Sequence, residues 1–293
     1  MKSSALLALY DDTMRRDARV AGCTREKTAQ TSRYSTASGS LRYVMWHRLL
    51  SSDTDRCIIE EISAATGNVQ ALMWKVYSHD TPINLSENLL AHGFTDHDPY
   101  TLMVAPVARV LAELGAPPSH ICVRQLREAN ELDAYQEIWD SVWPTAPNAR
   151  YVNDYRRVAA NREPGVVFFA GFSVAKEPIS SGYVFHAPGS PFALLCGGAT
   201  KAAWRNQHAY SSMLIARAKC ALERGADYLA VEASPASQPI LERLSFERLS
   251  TLFFYEKCLA NVSASMPLLN AALPESLITH PPSHSPLSPP APT

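Results

Sequence analysis

The sequence predicts an α/β protein: two mixed-sheet units in tandem, the first reduced, followed by a disordered C-terminal tail. Three observations point there. The chain has 293 residues, and at about 150 residues per domain two units are the natural count. Its first 260 residues alternate strand-length apolar runs with helix-length periodic segments. The end of the first half also repeats the order of elements at the end of the second.

The elements follow in order. Residues 41–49 alternate as a strand. Asp53-Thr54-Asp55 can cap a helix with Ile58, Ile62 and Ala65 on one face, stopped at Gly67-Asn68. Residues 72–77 read as a strand, 85–92 as a short helix ended by Gly93-Phe94, and 101–104 as a closing strand. Ala116-Pro117-Pro118-Ser119 joins the halves, giving units over 1–115 and 119–260. In the second half, residues 166–174 and 179–186 form a hairpin about Lys176-Glu177-Pro178. Residues 192–196 are a third strand, broken by Gly197-Gly198-Ala199-Thr200. A long helix runs from about Asn206 to Arg224, with Tyr210, Leu214, Ala218, Ala221 and Leu222 on one face. Gly225 ends it, because a left-handed cap needs no Cβ. A strand at 228–231, a short helix at 237–244 and a strand at 252–255 complete the unit. The repeat shows in Glu87-Asn88-Leu89-Leu90 followed by Phe94, set against Leu241-Glu242-Arg243-Leu244 followed by Phe246. Residues 261–293 hold 8 of the 21 prolines, no glycine and one charge, Glu275. That composition predicts a disordered tail of polyproline II character.

The charge balance narrows the partners. With 27 Lys+Arg against 28 Asp+Glu the net charge is −1, which argues against bulk capture of nucleic acid or anionic membrane. An anion site must therefore be local. No apolar run reaches the ~18 residues that span a bilayer. The run Ala5-Leu6-Leu7-Ala8-Leu9-Tyr10 is too short for a signal-peptide core and meets Asp11-Asp12 at once. A cytoplasmic location is expected. The six cysteines form no C-x-x-C pair and no His stands at ligand spacing from them, so reduced thiols and no metal are expected. His79-Asp80 and His92, His97 and Asp98 lack a firm ligand spacing and read as polar side chains of solvated loops.

The informative stretch is 197–224. A strand ends, glycines allow backbone exposure, and a helix begins with free N–H groups and a positive dipole end. That arrangement binds phosphates without net positive charge, and Lys201 and Arg205 add local charge. It is neither a G-K-[ST] loop nor a G-x-G-x-x-G fingerprint, and no G-x-S-x-G elbow exists.

The segments carrying a resemblance are Gly197-Gly198-Ala199-Thr200, Trp204-Arg205-Asn206-Gln207-His208-Ala209-Tyr210 and the helix to Gly225-Ala226. They continue with Leu229-Ala230-Val231-Glu232-Ala233-Ser234 and Pro239-Ile240-Leu241-Glu242-Arg243-Leu244-Ser245-Phe246. In this order they resemble the GNAT acyltransferase superfamily of acetyl-CoA-dependent N-acetyltransferases. Its pyrophosphate loop reads Arg/Gln-x-x-Gly-x-Gly/Ala before a long helix, and its later signature Leu-Tyr-x-x-Leu-Gly-Phe. The similarity covers about residues 121–257, with a weaker copy over 41–105. Here His208 stands where the loop usually has Gly, Tyr210 where Gly or Ala is commonest, Leu241 for the Tyr often serving as general acid, and Ser245 for Gly.

The resemblance implies acetyl-CoA as co-substrate and no metal. The backbone at Cys196, Gly197 and Gly198 would pair with the pantetheine arm. Amides of Gln207, His208, Ala209, Tyr210 and Ser211 would hold the pyrophosphate. Arg205 would assist, or is an ordinary helix-start arginine. Glu232 would accept the amine proton through water, or is a structural partner. Ser234 would serve the pantetheine or the thiolate, or is a helix N-cap before Pro235. The implied reaction is direct acetyl transfer to a small-molecule or peptide amine, with an inactive binding or regulatory module as the alternative.

Overall fold

A computed structural model describes residues 2–65, 67, 69–146 and 148–259. The expected tail and the Asn68 half of the helix stop lie outside the described residues. The chain opens with α1 (Ser3–Tyr10), extended by a π-helical turn over Asp11–Arg16. β1 (Cys23–Lys27), β2 (Thr31–Thr36) and β3 (Leu41–His47) form an antiparallel meander. α2 (Thr54–Ala64) crosses to β4 (Ala71–Tyr77), which runs parallel to β3. α3 (Leu85–Ala91), the short β5 (Thr95–Asp96), β6 (Tyr100–Pro106) and α4 (Val107–Leu114) close this half.

The second half starts with β7 (Ile121–Leu126), α5 (Asp133–Val142) and α6 (Asn148–Ala160). The hairpin β8 (Val166–Ser173) and β9 (Pro178–His186) leads into β10 (Phe192–Thr200). α7 (Ala209–Glu223), β11 (Tyr228–Ala233), α8 (Gln238–Glu242) and β12 (Glu247–Cys258) follow. The sequence places a break at Gly197, but β10 runs on through it as a bulge that keeps its pairing with β9. Leu222, expected on the buried face of the long helix, is exposed, while Leu214, Ala218 and Ala221 are fully buried.

Among the described residues all twelve strands form one sheet, in the order β1-β2-β3-β4-β12-β6-β11-β10-β9-β8-β7, with β5 paired to β12. The halves exchange closing strands. β12 lies antiparallel to β4 of the first half, and β6 lies antiparallel to β11 of the second. Both receiving strands are covered on two faces, which suits their near-continuous apolar sequences Ala71-Leu72-Met73-Trp74 and Leu229-Ala230-Val231. One sheet face packs Tyr10, Met73, Leu102, Leu194 and Phe254 in a single core. On the other, Val44, Leu72 and Trp74 meet α2 and α3, and Met103, Ala193 and Leu229 meet α4 and α7.

A buried ion pair interrupts this core. The Lys75 ammonium of β4 donates to both Glu232 carboxylate oxygens of β11, at 2.8 and 2.7 Å. The Tyr77 hydroxyl donates to the same carboxylate at 2.7 Å. The pair reaches across the two exchanged strands, and Lys75 lies 5.1 Å from the centre of the Phe254 ring of β12. Neither side chain is more than 1% exposed.

The first half also contains a diverging parallel pair. β3 and β4 pair from Leu41 to Val44. Beyond that point the Trp74 indole N–H donates to His47 Nδ1 at 3.1 Å and bulky side chains fill the gap. Burial lowers the His47 imidazole from 6.5 to about 4. Its folded value lies below the unfolded one, so the unfolded chain binds more protons on acidification. The stability is present above pH 6.5 and is lost as pH falls towards 4, up to about 3 kcal/mol. Urea unfolding over that range should show this loss, and the His47→Gln variant should show a smaller one.

Strand exchange predicts how the halves behave when separated. Residues 119–293 alone lack β6 and Lys75, leaving the edge of β11 open and Glu232 without its ammonium. We expect that fragment to show no cooperative thermal transition in circular dichroism. A cooperative melt like that of the full chain would contradict the exchange.

Candidate active site

The site begins where two strands part. β10 and β11 are parallel and pair only over Phe192–Leu194 and Tyr228–Ala230. The β9 register of β10 then shifts between Cys196 and Ala199. Gly197 sits in that bulge at φ +59°, a left-handed conformation that glycine adopts without strain. A Cβ there would collide with the Tyr135 hydroxyl and stand 3.0 Å from the Tyr183 ring. Two side chains fix the bulge. Tyr135 donates to the Gly197 carbonyl at 3.1 Å, and the buried Arg217 of α7 donates to the Cys196 carbonyl at 3.3 Å. Gly182 leaves room for Arg217, since a Cβ would lie 3.0 Å from its guanidinium.

The divergence opens a cleft of about 450 Å³ between β10, the end of β11 and the start of α7. Gly198, Ala199 and Thr200 form one wall, and Ser234, Ser237 and Arg243 the other. The α7 N-terminus closes its floor through Ala209, Tyr210 and Ser211. First-turn N–H groups have no acceptor within a helix, and the dipole makes this end positive. Asn206 and His208 both adopt left-handed backbone, at φ +59° and +65°. Asn and His are the side chains commoner than most in this region, though any Cβ there costs about 1 kcal/mol against glycine.

The expected residues divide between the cleft and its surroundings. Gly198, Arg205, His208, Ala209, Tyr210, Ser211 and Ser234 line it. Gln207 does not, and its side-chain amide turns back to the Ala203 carbonyl at 2.6 Å. Cys196 and Gly197 lie behind the wall, with their carbonyls already taken by Arg217 and Tyr135. Burial pushes the Cys196 thiol up, so it stays protonated. Glu232 faces the buried side of the sheet, held by Lys75 and Tyr77. Lys201 also points elsewhere: it binds Glu137 at 2.7 Å and Glu177 at 3.2 Å. Positive charge at the cleft therefore comes from Arg205 and Arg243.

Ser234 is buried and bonded to the Ser237 hydroxyl at 3.1 Å. The residue before α8 is Ser237, three positions beyond the expected cap. Leu241 is buried and brings no hydroxyl, and Ser245 takes φ +57°, the conformation for which glycine is better suited. The histidines weighed as metal ligands instead meet separate carboxylates: His79 faces Asp11 and Asp80, His92 faces Asp55 and His97 faces Glu256. Among the described residues no helix is long and apolar enough to cross a membrane.

No protein-family model matches the chain, and no curated protein sequence does. Solved structures do. A functionally unknown conserved protein from Staphylococcus epidermidis superposes with TM-score 0.62 at 10% identity, covering 85% of this chain and 96% of that one. A GCN5-related N-acetyltransferase from Kribbella flavida gives TM-score 0.55 at 16% identity, covering 87% and 93%. A tandem GNAT protein of the clavulanic acid biosynthesis pathway gives TM-score 0.57 at 12% identity, covering 89% and 96%. The chain thus has the GNAT acetyltransferase fold, written twice in tandem.

Two substitutions test the site's construction. Gly197→Ala should lower stability by about 2 kcal/mol or more, through left-handed strain and collision, read by chemical denaturation. Lys75→Ala, which strands a buried carboxylate, should cost about 3–5 kcal/mol. The double change Lys75→Met with Glu232→Leu should recover most of that loss. A double variant as unstable as the single one would contradict a structural role for the pair.

Proposed function

We propose that this protein binds acetyl-CoA in the β10–β11 cleft and transfers its acetyl group to an amine. The observation that carries the reading is the splay of β10 from β11 over the N-terminus of α7. The residues fit such a co-substrate. A pyrophosphate suits the first-turn amides at Ala209 and Ser211 with Arg205 and Arg243 nearby. An extended amide-bearing arm suits the β10 edge at Gly198 to Thr200, which has left β11. On this reading residues 119–260 form the acetyl-CoA-binding unit and residues 1–115 a degenerate one whose cleft is filled by Trp74 and His47.

In direct attack the acceptor nitrogen reaches the acetyl carbonyl carbon with its lone pair free. The C–N bond forms and the C–S bond breaks. The nitrogen loses a proton and the thiolate gains one. Glu232 is held in an ion pair and Leu241 has no ionisable group, so neither supplies the acid or base directly. That observation favours a second reading, a fold that binds the co-substrate without turnover.

Calorimetric titration with acetyl-CoA separates these outcomes. Saturable binding is expected, and none at millimolar concentration would contradict both readings. Thiol release on adding amines supports transfer, and binding without release supports the inactive module. His208→Gly should tighten binding, since the left-handed turn is already formed and the imidazole lines the cleft. Weaker binding would show that the imidazole holds a phosphate oxygen.

A further inference from the structure

Three of the five tryptophans are buried, and they differ in what their indole nitrogens meet. The Trp74 N–H donates to His47 Nδ1 and the Trp139 N–H to the Ser181 hydroxyl, each at 3.1 Å. Trp143 is only 5% exposed, and its N–H is buried with no acceptor. A buried donor left unpaired costs the folded chain stability, so such groups are rare. Trp143 is also the one of the three that lines the β10–β11 cleft.

Its position is fixed. Trp143 caps the end of α5, where its backbone N–H donates to the Trp139 carbonyl at 2.7 Å. Its own carbonyl accepts from the Asn148 side chain at 2.8 Å, and its ring stands edge-on to Trp139 at 5.2 Å. α5 packs on the sheet face that carries Leu194 and Cys196, whereas α7 packs on the face of Ala193 and Leu195. The cleft is lined from both faces, by Trp143 on one and by Ala209 to Ser211 on the other. It therefore passes through the sheet where β10 has left β11. Neither Asp nor Glu is among its described lining residues, so no carboxylate in the cleft competes for the Trp143 N–H.

We infer that the Trp143 indole N–H binds the thioester carbonyl oxygen of acetyl-CoA. The inference rests on the acetyl-CoA reading and names the side chain that holds the reacting carbonyl. With the pyrophosphate at the α7 N-terminus, the arm crosses the gap between the strands. What arrives on the α5 face is then the far end of the co-substrate, whose hydrogen-bond acceptor is the thioester oxygen. The bond strengthens during transfer. As the amine nitrogen bonds to the carbonyl carbon, the C=O π pair moves onto oxygen, and a donor already in place stabilises that charge without rearranging. The pair returns as the C–S bond breaks, and the proton lost by nitrogen ends on the thiolate. Trp143 stays neutral throughout, so this role needs no help from Glu232.

CoA lacks the thioester carbonyl, which makes it the control ligand. Trp143→Phe keeps an aromatic ring beside Trp139 and removes the N–H. In calorimetry of the full chain, this variant should bind acetyl-CoA about five- to tenfold more weakly than the unaltered chain, with CoA affinity unchanged. Nitrogen–proton correlation spectra of the unaltered chain give a second readout that does not depend on the variant folding. The Trp143 indole proton should move downfield with acetyl-CoA and not with CoA. An equal loss for both ligands, no loss for either, or an indole proton that moves alike with both overturns the assignment and leaves the acetyl-CoA reading standing. An unaltered chain that binds neither ligand overturns that reading, and the assignment with it.

Discussion

The ion pair of Lys75 with Glu232 is the constraint on which the two-part architecture turns. Removing two charges from water is expensive, and the interior repays it only when geometry and further hydrogen bonds are good. Here both carboxylate oxygens are met by the ammonium, and the Tyr77 hydroxyl adds a third bond. One partner stands on β4 and the other on β11, with β12 and β6 between them. The pair can form only after the halves have exchanged those strands. Either half alone would hold a buried charge without its partner, so the tandem arrangement behaves as one cooperative sheet. The same bond holds Glu232 in the sheet interior, so it is not free to move a proton at the cleft.

Two copies of one fold meet different fates for a local reason. Each contains a parallel strand pair that parts after three or four residues. In the second copy, Gly197 and Gly198 let β10 bulge away, and Tyr135 and Arg217 hold the bulge open. In the first, β3 reads Leu41-Arg42-Tyr43-Val44-Met45-Trp46-His47 and shifts its register against β2 at Met45, without a glycine there to turn the backbone left-handed. The hydrogen bond between Trp74 and His47 then closes the gap from within the core.

Much of the fold could be read along the chain, because helix and strand periodicity are local properties. Residues 41–104 and 166–258 follow the expected order of elements. The strands at Cys23–Lys27 and Thr31–Thr36 escaped because they are polar and short, without an apolar alternation to mark them. The exchange of β6 and β12 was not legible either. Both strands are apolar and could pair with either neighbour, so the choice is made by tertiary contacts. The cleft's loop was readable at Arg205, His208 and Ser211, which lie together in sequence. Lys75 as the partner of Glu232 was not, being 157 residues away. Arg217 and Tyr135 were hidden for the same reason, since nothing local marks a buried arginine as the brace of a bulge. Arg243 carried a weak signal in Leu241-Glu242-Arg243-Leu244, where the helix pattern leaves it on the exposed side.

Hydrogen exchange read by mass spectrometry, with and without acetyl-CoA, tests the proposal that the co-substrate is held where β10 parts from β11 and not where β3 parts from β4. The account predicts slowed exchange over residues 197–211 and 231–237, with residues 41–50 and 71–80 unchanged. Equal protection of both segments, or protection confined to the first half, would contradict it.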